Sequence, residues 1–365
     1  MTRFDIAHQR LHNQAIASAT PATPGEVVRH LGAIQAQDYL GALWAVGLRT
    51  KAATEQAVEQ AIRDRQIVRT WPMRGTLHFV APEDVRWMLA LLTPRIIARA
   101  ARRHQQLELD EATFSRSEAL FSKALRDGQQ LTRQEMMAVL EQGGISAKGQ
   151  RMYHLLWRAG QRGLICFGPR RGKQETFVLL NAWLPDGKPL SREESLAELA
   201  RRYFTGHGPA TIYDFRWWSG LPSAEAKAGL EMVKEQFISE EFDGETYWFS
   251  PSSSVPVATS PAVYLLPSFD EYLLGYRERG AVLDPADAQK VVPGANGIFK
   301  PIIIIDGRVV GIWQRTLKKD RVVVAPQPFS TLSKIEIQAI AVAAERYGAF
   351  VELPMTLDLS IGHHA

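Results

Sequence analysis

Gln35 and Gln37 flank a single alanine in the stretch His30-Leu-Gly-Ala-Ile-Gln-Ala-Gln-Asp38. A glutamine amide is no strong base. It can orient a water molecule and turn its carbonyl dipole toward a developing positive charge. The competing interpretation is a polar helix end over 33–38, since no general rule marks a glutamine pair as catalytic. Other chemistry is sparse. The chain has no Gly-rich phosphate loop, no His-Glu-x-x-His and no Gly-x-Ser-x-Gly. Asp270 and Glu271 are adjacent carboxylates, but Phe269–Leu274 reads as a strand, which sends neighbouring side chains to opposite faces. The two could not then flank one bond, and they read as structural. The single Cys166 excludes an internal disulfide or a cysteine-cluster metal site, and its apolar surroundings suit a core residue. No metal and no cofactor are expected.

A chain of 365 residues exceeds one typical core, so two to four compact units are expected. Hydrophobic content of 45% and charged content of 22% are those of an ordinary soluble globular protein. The N-terminal residues Met1–His8 lack an apolar signal-peptide core, and no apolar run approaches the ~20 residues of a membrane span. A cytoplasmic protein is expected, with no membrane partner. The net charge of +4 is uneven: residues 95–175 hold 15 Lys/Arg against 8 Asp/Glu, leaving the remainder at −3. A basic middle suggests a polyanion partner, the alternative being a solvated helical surface.

The elements that must position these residues read as an α+β chain of three tandem winged-helix units and a small C-terminal β domain, barrel-like, with a closing helix. The middle unit, 106–188, is the clearest. A helix over Ser115–Arg126 precedes a second that starts at Thr132, whose Glu135 three residues on completes a capping pattern. Gly143-Gly144 ends it, and a third helix runs from Gln150 to Arg162. The strands 164–167 and 176–180 enclose a basic hairpin. Helix-helix-helix-hairpin is the winged variant of helix-turn-helix. The third unit, 189–254, repeats this with helices Arg192–Phe204, Ala210–Leu221 and Ser223–Phe237 and an Asp-Gly hairpin over Glu241–Phe249. The first unit, 1–105, is less regular, with helices at Pro24–Leu31 and Leu40–Leu48 and a wing at Val68–Val80 broken by Pro72 and Gly75. In 255–365, strands are expected at Val263–Leu266, Pro301–Trp313 and Arg321–Ala325, with a helix at Ser333–Tyr347. Pro251–Pro256 reads as the connection into it.

On the middle unit's third helix, Arg151, His154 and Arg158 share one face, while Met152, Leu155, Leu156 and Ala159 share another. The hairpin adds Arg170, Arg171 and Lys173. Phosphate contact is the natural use of such a strip, an ordinary basic helix surface being the alternative. His78 reads equally as the polar tip of a wing strand or as a DNA contact. The corresponding helices of the other two units are apolar or charge-balanced, which disfavours base-specific readout and favours binding by shape or damage.

Over nearly its whole length the chain resembles the AlkZ-like DNA glycosylases, a winged-helix superfamily that includes the YcaQ type. The resemblance rests on Gln35-Ala36-Gln37, on Arg69-Thr-Trp-Pro-Met-Arg-Gly-Thr-Leu-His78 and on Leu266-Pro-Ser-Phe-Asp-Glu-Tyr-Leu-Leu-Gly-Tyr276. Phe299-Lys-Pro and Asp306-Gly-Arg-Val-Val-Gly-Ile-Trp313 extend it. In that family a Gln–apolar–Gln motif is catalytic, with Asp in the last position of the YcaQ type. Gln37 there places this chain on the AlkZ side, and Ala36 is a small residue for the apolar position. The resemblance implies hydrolysis of the N-glycosidic bond of N7-alkylated purines, including guanines tied into interstrand crosslinks, in double-stranded DNA. It assigns catalysis to Gln35 and Gln37, with Trp71, Met73 and Arg74 lining the lesion site. A monomeric, monofunctional enzyme acting on the nucleoid is expected. The rivals are a non-catalytic winged-helix regulator and a damage sensor without turnover.

Overall fold

The computed structural model describes residues 1–18, 21–184, 187, 189–251, 261–295 and 297–359. The expected connection over 251–256 lies outside the described residues from 252 onward. The chain is a mixed α+β protein and forms two compact units, one of residues 1–58 with 197–365, the other of residues 59–196. This differs from the four-part division expected from sequence. The 68–80 hairpin belongs with the middle of the chain, because its first strand pairs with Ile165–Arg171 through Arg69 and Phe167. The C-terminal elements belong with the N-terminal ones, because the helices Tyr39–Arg49 and Lys334–Phe350 share a core.

In the 59–196 unit, the helix Glu111–Ala124 starts earlier than Ser115 because Asp110 caps it, accepting the Thr113 N–H at 2.8 Å. The next helix, Arg133–Gln142, begins as its sequence pattern requires. Thr132 and Glu135 exchange side-chain to backbone hydrogen bonds of 3.3 and 2.6 Å. A third helix, Arg151–Gln161, leads into the antiparallel pair Ile165–Arg171 and Gln174–Leu179. The short strand Leu131–Thr132 adds to Gln174–Leu179 on its other side. On the far side of Ile165–Arg171 lie Val68–Met73 and then Thr76–Val80. Their register breaks between Thr70 and Met73, where Pro72 cannot donate to the ladder.

Every residue of Val68–Met73 is buried, so this pair is an interior strand pair and not an exposed wing. Helix Val85–Arg99, not foreseen from sequence, packs on it. Trp71 lies in the core with Phe167, ring centroids 4.9 Å apart, and Gly160 allows this approach because a β-carbon there would fall 2.4 Å from the Trp71 ring.

In the other unit, helices Arg192–His207, Ile212–Ser219 and Ser223–Val233 lead to the hairpin Ile238–Phe242/Glu245–Phe249, turned by Asp243 and Gly244, both at positive φ. The C-terminal sheet is open, in the order Met355–Leu357, Val322–Pro328, Arg308–Leu317, Ile302–Ile305, Val263–Leu266. It is antiparallel except at its first pair, and its two end strands do not pair with each other, so the barrel-like domain expected from sequence is an open sheet. Lys334–Phe350 covers it. Trp44 meets Tyr347 edge-on at 5.1 Å and Phe350 at 5.0 Å, while Gly47 leaves room for the Phe350 ring. Among the described residues no helix is long and apolar enough to cross a membrane.

Overpacking a closed core costs about 1–3 kcal/mol. Gly160→Ala is expected to lower unfolding free energy by that amount in urea titration, since its methyl group would strike the Trp71 ring. A variant as stable as wild type would show that the ring can move aside.

Candidate active site

The glutamine segment is held at both ends. Gly32, at φ 75°, ends helix Pro24–Leu31 and turns the chain into the strand Ala33–Gln35. Three residues later Asp38 caps helix Tyr39–Arg49, accepting the Gly41 N–H at 3.1 Å. In place of the competing polar helix end, 33–38 is therefore a strand followed by a bend. Helix formation stops at Gly32 and cannot resume before its new cap. The segment is extended at Gln35, which is 7% exposed, and bends at Gln37, which is open to solvent.

The residues behind this segment come from 266–276. Ser268 donates its hydroxyl to Asp38 at 2.6 Å, and Arg315 lies 3.5 Å from the same carboxylate. Phe269–Leu274 is not a strand. Asp270 caps the short helix Glu271–Leu274, accepting the Tyr272 N–H at 2.9 Å. The two acids do not flank one bond, as expected, but for a different reason. Asp270 takes a two-pronged bond from Arg49, at 2.8 and 2.7 Å. Glu271 accepts the backbone N–H of Gln35 at 3.1 Å and the indole N–H of Trp218 at 3.0 Å. Asp38, Glu271, Trp218 and Ser268 were not singled out as site residues. Asp38 carried a signal, being a good cap directly before an apolar helical run. Ser268 and Glu271 lie within the 266–276 motif of the family resemblance, whereas Trp218 carried no signal, since it meets the segment only through tertiary packing.

The expected DNA-contacting residues all lie in the 59–196 unit, and several are committed elsewhere. Trp71 and Met73 are core residues. Arg74 and Gly75 form the turn between the buried strands, both at positive φ. His78 is fully buried: its Nδ1–H donates to Thr76 O at 3.0 Å, and Nε2 accepts from Arg74 at 3.2 Å. Burial, then the Arg74 charge, holds its pKa well below the usual histidine value, so it is a neutral internal strut rather than a phosphate contact. Arg151 donates to the carbonyls of Ser146 at 2.8 Å and Glu108 at 3.0 Å, and also to Leu107.

Arg158 is 5% exposed, pairs with Glu111 at 2.8 Å and stacks over the Phe114 ring. His154 packs edge-on against His104 at 5.2 Å, and burial lowers its pKa. The helix is amphipathic as expected, but its basic face is taken up internally, Arg151 by backbone carbonyls, His154 by His104 and Arg158 by Glu111 and Phe114. Of the expected set, the hairpin remains outward. Arg170 donates to Lys173 O at 2.7 Å, Arg171 is exposed and pairs with Glu135 at 2.8 Å, and Lys173 is exposed beside Gly172. Cys166 is buried and its thiol is pushed well up by burial, consistent with a core role. Among the described residues no group of three His, Cys, Asp or Glu could hold a metal ion.

Residues 28–350 match the model of the DNA glycosylase AlkZ-like family. The chain belongs to the AlkZ-like DNA glycosylases. A curated relative, described as an interstrand DNA cross-link repair glycosylase of Streptomyces sahachiroi, is 28% identical over 344 residues, covering 87% of this chain and 89% of the relative. The solved structure of Streptomyces sahachiroi DNA glycosylase AlkZ superposes with a TM-score of 0.76, covering 98% of this chain and 100% of that one at 24% identity. That structural likeness concerns the fold. In this AlkZ-like chain, the family motif at 35–37 and the 266–276 motif meet in one hydrogen-bonded assembly.

Two predictions follow from these commitments. Lys173→Ala should lower the log–log salt slope of duplex binding by about 0.9, the increment of one phosphate contact. Arg158→Ala should leave that slope unchanged and cost about 1 kcal/mol of stability, the upper range for a pair whose Glu111 end is solvated. A slope change in Arg158→Ala instead would return it to the DNA-contacting set.

The second concerns pH. His104 is pushed down to about 4 by burial first, then by His154 and Arg158, and His78 and His154 are lowered too. The folded protein holds these rings neutral, whereas the unfolded chain takes up protons below about 6.5. Their contribution is complete above the unfolded value and is lost as pH falls toward about 4. Melting temperature should fall over that window, and less steeply in His104→Gln. Parallel curves for the two proteins would contradict this assignment.

Proposed function

We propose that this protein is a monofunctional DNA-repair glycosylase that hydrolyses the N-glycosidic bond of N7-alkylated purines, including purines joined in interstrand crosslinks. It would act as a monomer on double-stranded DNA in the cytoplasm, where the nucleoid lies. Family membership and the named activity of the Streptomyces relative support the reading. The observation that carries it is the pinned segment Gln35–Gln37, extended, capped on both sides and open to solvent at Gln37.

The chemistry suits weak catalytic groups. Alkylation at N7 makes the purine cationic, so the bond from its nitrogen to C1′ breaks with the electron pair passing to the base, which leaves neutral. No protonation by the enzyme is required. The sugar is left as an oxocarbenium-like cation. Gln37 holds the attacking water, and the Gln35 carbonyl dipole faces the sugar charge. The water oxygen bonds to C1′, and its surplus proton passes to solvent. Neutral amides would not suffice for an uncharged base, which leaves as a poor anion.

Within this reading, 111–179 and 192–249 are winged-helix modules. Each runs helix, short pairing segment, two helices and hairpin, the pairing segments being Leu131–Thr132 and the Ala210–Trp248 bridge. The burial of Arg158 and His78 supports lesion-directed binding over sequence readout, because it withdraws two of the candidate base-reaching side chains.

Replacing either Gln35 or Gln37 with Ala should abolish release of N7-methylguanine from duplex while duplex affinity stays near wild type. Gln37→Asp should retain part of the activity, since a carboxylate also holds water. Uracil in the same duplex should not be released. An alkaline-cleavage assay for abasic sites reads all three. Undiminished activity in the double Ala variant would place the site elsewhere, and rapid uracil excision would refute the activated-leaving-group argument.

A further inference from the structure

Glu271 is a buried carboxylate that accepts from a backbone N–H and an indole N–H and faces a histidine ring. Its side chain is 1% exposed. Its Oε1 accepts the Gln35 backbone N–H at 3.1 Å, and its Oε2 faces the Trp218 indole N–H at 3.0 Å and His207 Nε2 at 3.4 Å. His207 is itself buried, stacked on Tyr203 at 4.7 Å, and its Nδ1 has no hydrogen-bond partner. The neighbouring buried acids differ. Asp270 is paired with Arg49 at 2.7 Å, and Asp214 lies 3.8 Å from Arg10. No arginine or lysine among the described residues pairs with Glu271 in this way, and a buried carboxylate lacking such a partner is costly to keep ionised. Such an arrangement is reasonable where the opposite charge arrives with the substrate.

We propose that Glu271 is a positioning residue of the glycosylase, gripping the backbone of Gln35 and serving as a standing counter-charge to the cationic sugar that forms beside that strand. The proposal rests on the assignment of Gln35 and Gln37 above. A carboxylate in direct reach of the sugar could bond to C1′ as a nucleophile. One held behind a backbone N–H contributes its field without that chemistry. The glutamines then need only orient water and complete the electrostatic lining, which fits their lack of charge.

The test uses two abasic-site analogues in otherwise identical duplexes, a pyrrolidine, cationic at neutral pH, and a tetrahydrofuran, which is neutral. Wild-type protein should bind the pyrrolidine duplex at least about tenfold more tightly, because differential binding of the charged form is what accelerates the reaction. Equal binding of the two by wild type overturns the proposal without recourse to any variant. Glu271→Gln keeps the shape and the acceptor for the Gln35 N–H but removes the charge and the acceptor facing Trp218, the loss that Trp218→Phe reproduces without removing the charge. It should lose the pyrrolidine preference, keep wild-type affinity for tetrahydrofuran DNA, and lower single-turnover kcat on N7-methylguanine by about tenfold or more.

Trp218→Phe removes a neutral donor and leaves the charge, so it should keep the preference. If it loses the preference as fully as Glu271→Gln, the effect is one of packing and the proposal fails. The two levels of failure are distinct. Active Gln35→Ala and Gln37→Ala variants defeat the active-site assignment. Inactive glutamine variants alongside a fully active Glu271→Gln defeat only the counter-charge.

Discussion

Arg49 and Asp270 form the buried pair on which the glutamine segment depends. Arg49 ends the helix that Asp38 begins, and its guanidinium donates to both oxygens of Asp270, to the backbone and side-chain oxygens of Gln14, and to Ala45 O. One side chain thereby joins the N-terminal region, the helix after the glutamines and the 266–276 segment. Buried pairs of this kind contribute little net stability, but losing one partner costs about 3–5 kcal/mol because the other is left charged and dry. Their value is geometric. With Arg49 seated on Asp270, the adjacent Glu271 falls under Gln35, and Ser268, two residues before Asp270, reaches Asp38. The 266–276 motif is thus a support for the 35–37 motif.

The same economy governs charge elsewhere. In the 59–196 unit, several cations that look available in sequence are used internally, Arg69 on Glu175, Arg158 on Glu111 and Arg151 on backbone carbonyls. Long basic side chains cover apolar surface with their stems and satisfy their heads locally. Other cations of the region stay outward, among them Arg102, Arg116, Lys123 and Arg133, together with Arg171 and Lys173 of the hairpin.

Weak catalytic groups and a rigid mounting belong together. Neutral amides add modest stabilisation per contact, so their effect depends on being preorganised rather than on acidity or charge. Caps at Gly32 and Asp38, a backbone bond from Gln35 to Glu271 and packing of Trp44 against Tyr347 and Phe350 supply that preorganisation without a metal or a nucleophile in the proposed mechanism.

Local signals in the sequence were enough for the elements whose ends are set by neighbouring residues. Thr132 with Glu135, Asp243-Gly244 and Asp306-Gly307 announced a helix start and two hairpins, because caps and turns depend on side chains within a few residues. The spacing in 151–159 likewise announced an amphipathic helix. The glutamine motif was legible only through family resemblance, since nothing local distinguishes it from a polar helix end. Tertiary structure decided the rest. It turned Val68–Val80 from a wing into an interior strand pair through the long-range partner Ile165–Arg171, and it made His78 neutral by burying it. It also spent Arg158 on Glu111, 47 residues away, and set Glu271 beneath Gln35 across 236 residues. Burial and charge pairing between such distant residues are properties of the packed chain, and no window of sequence contains them.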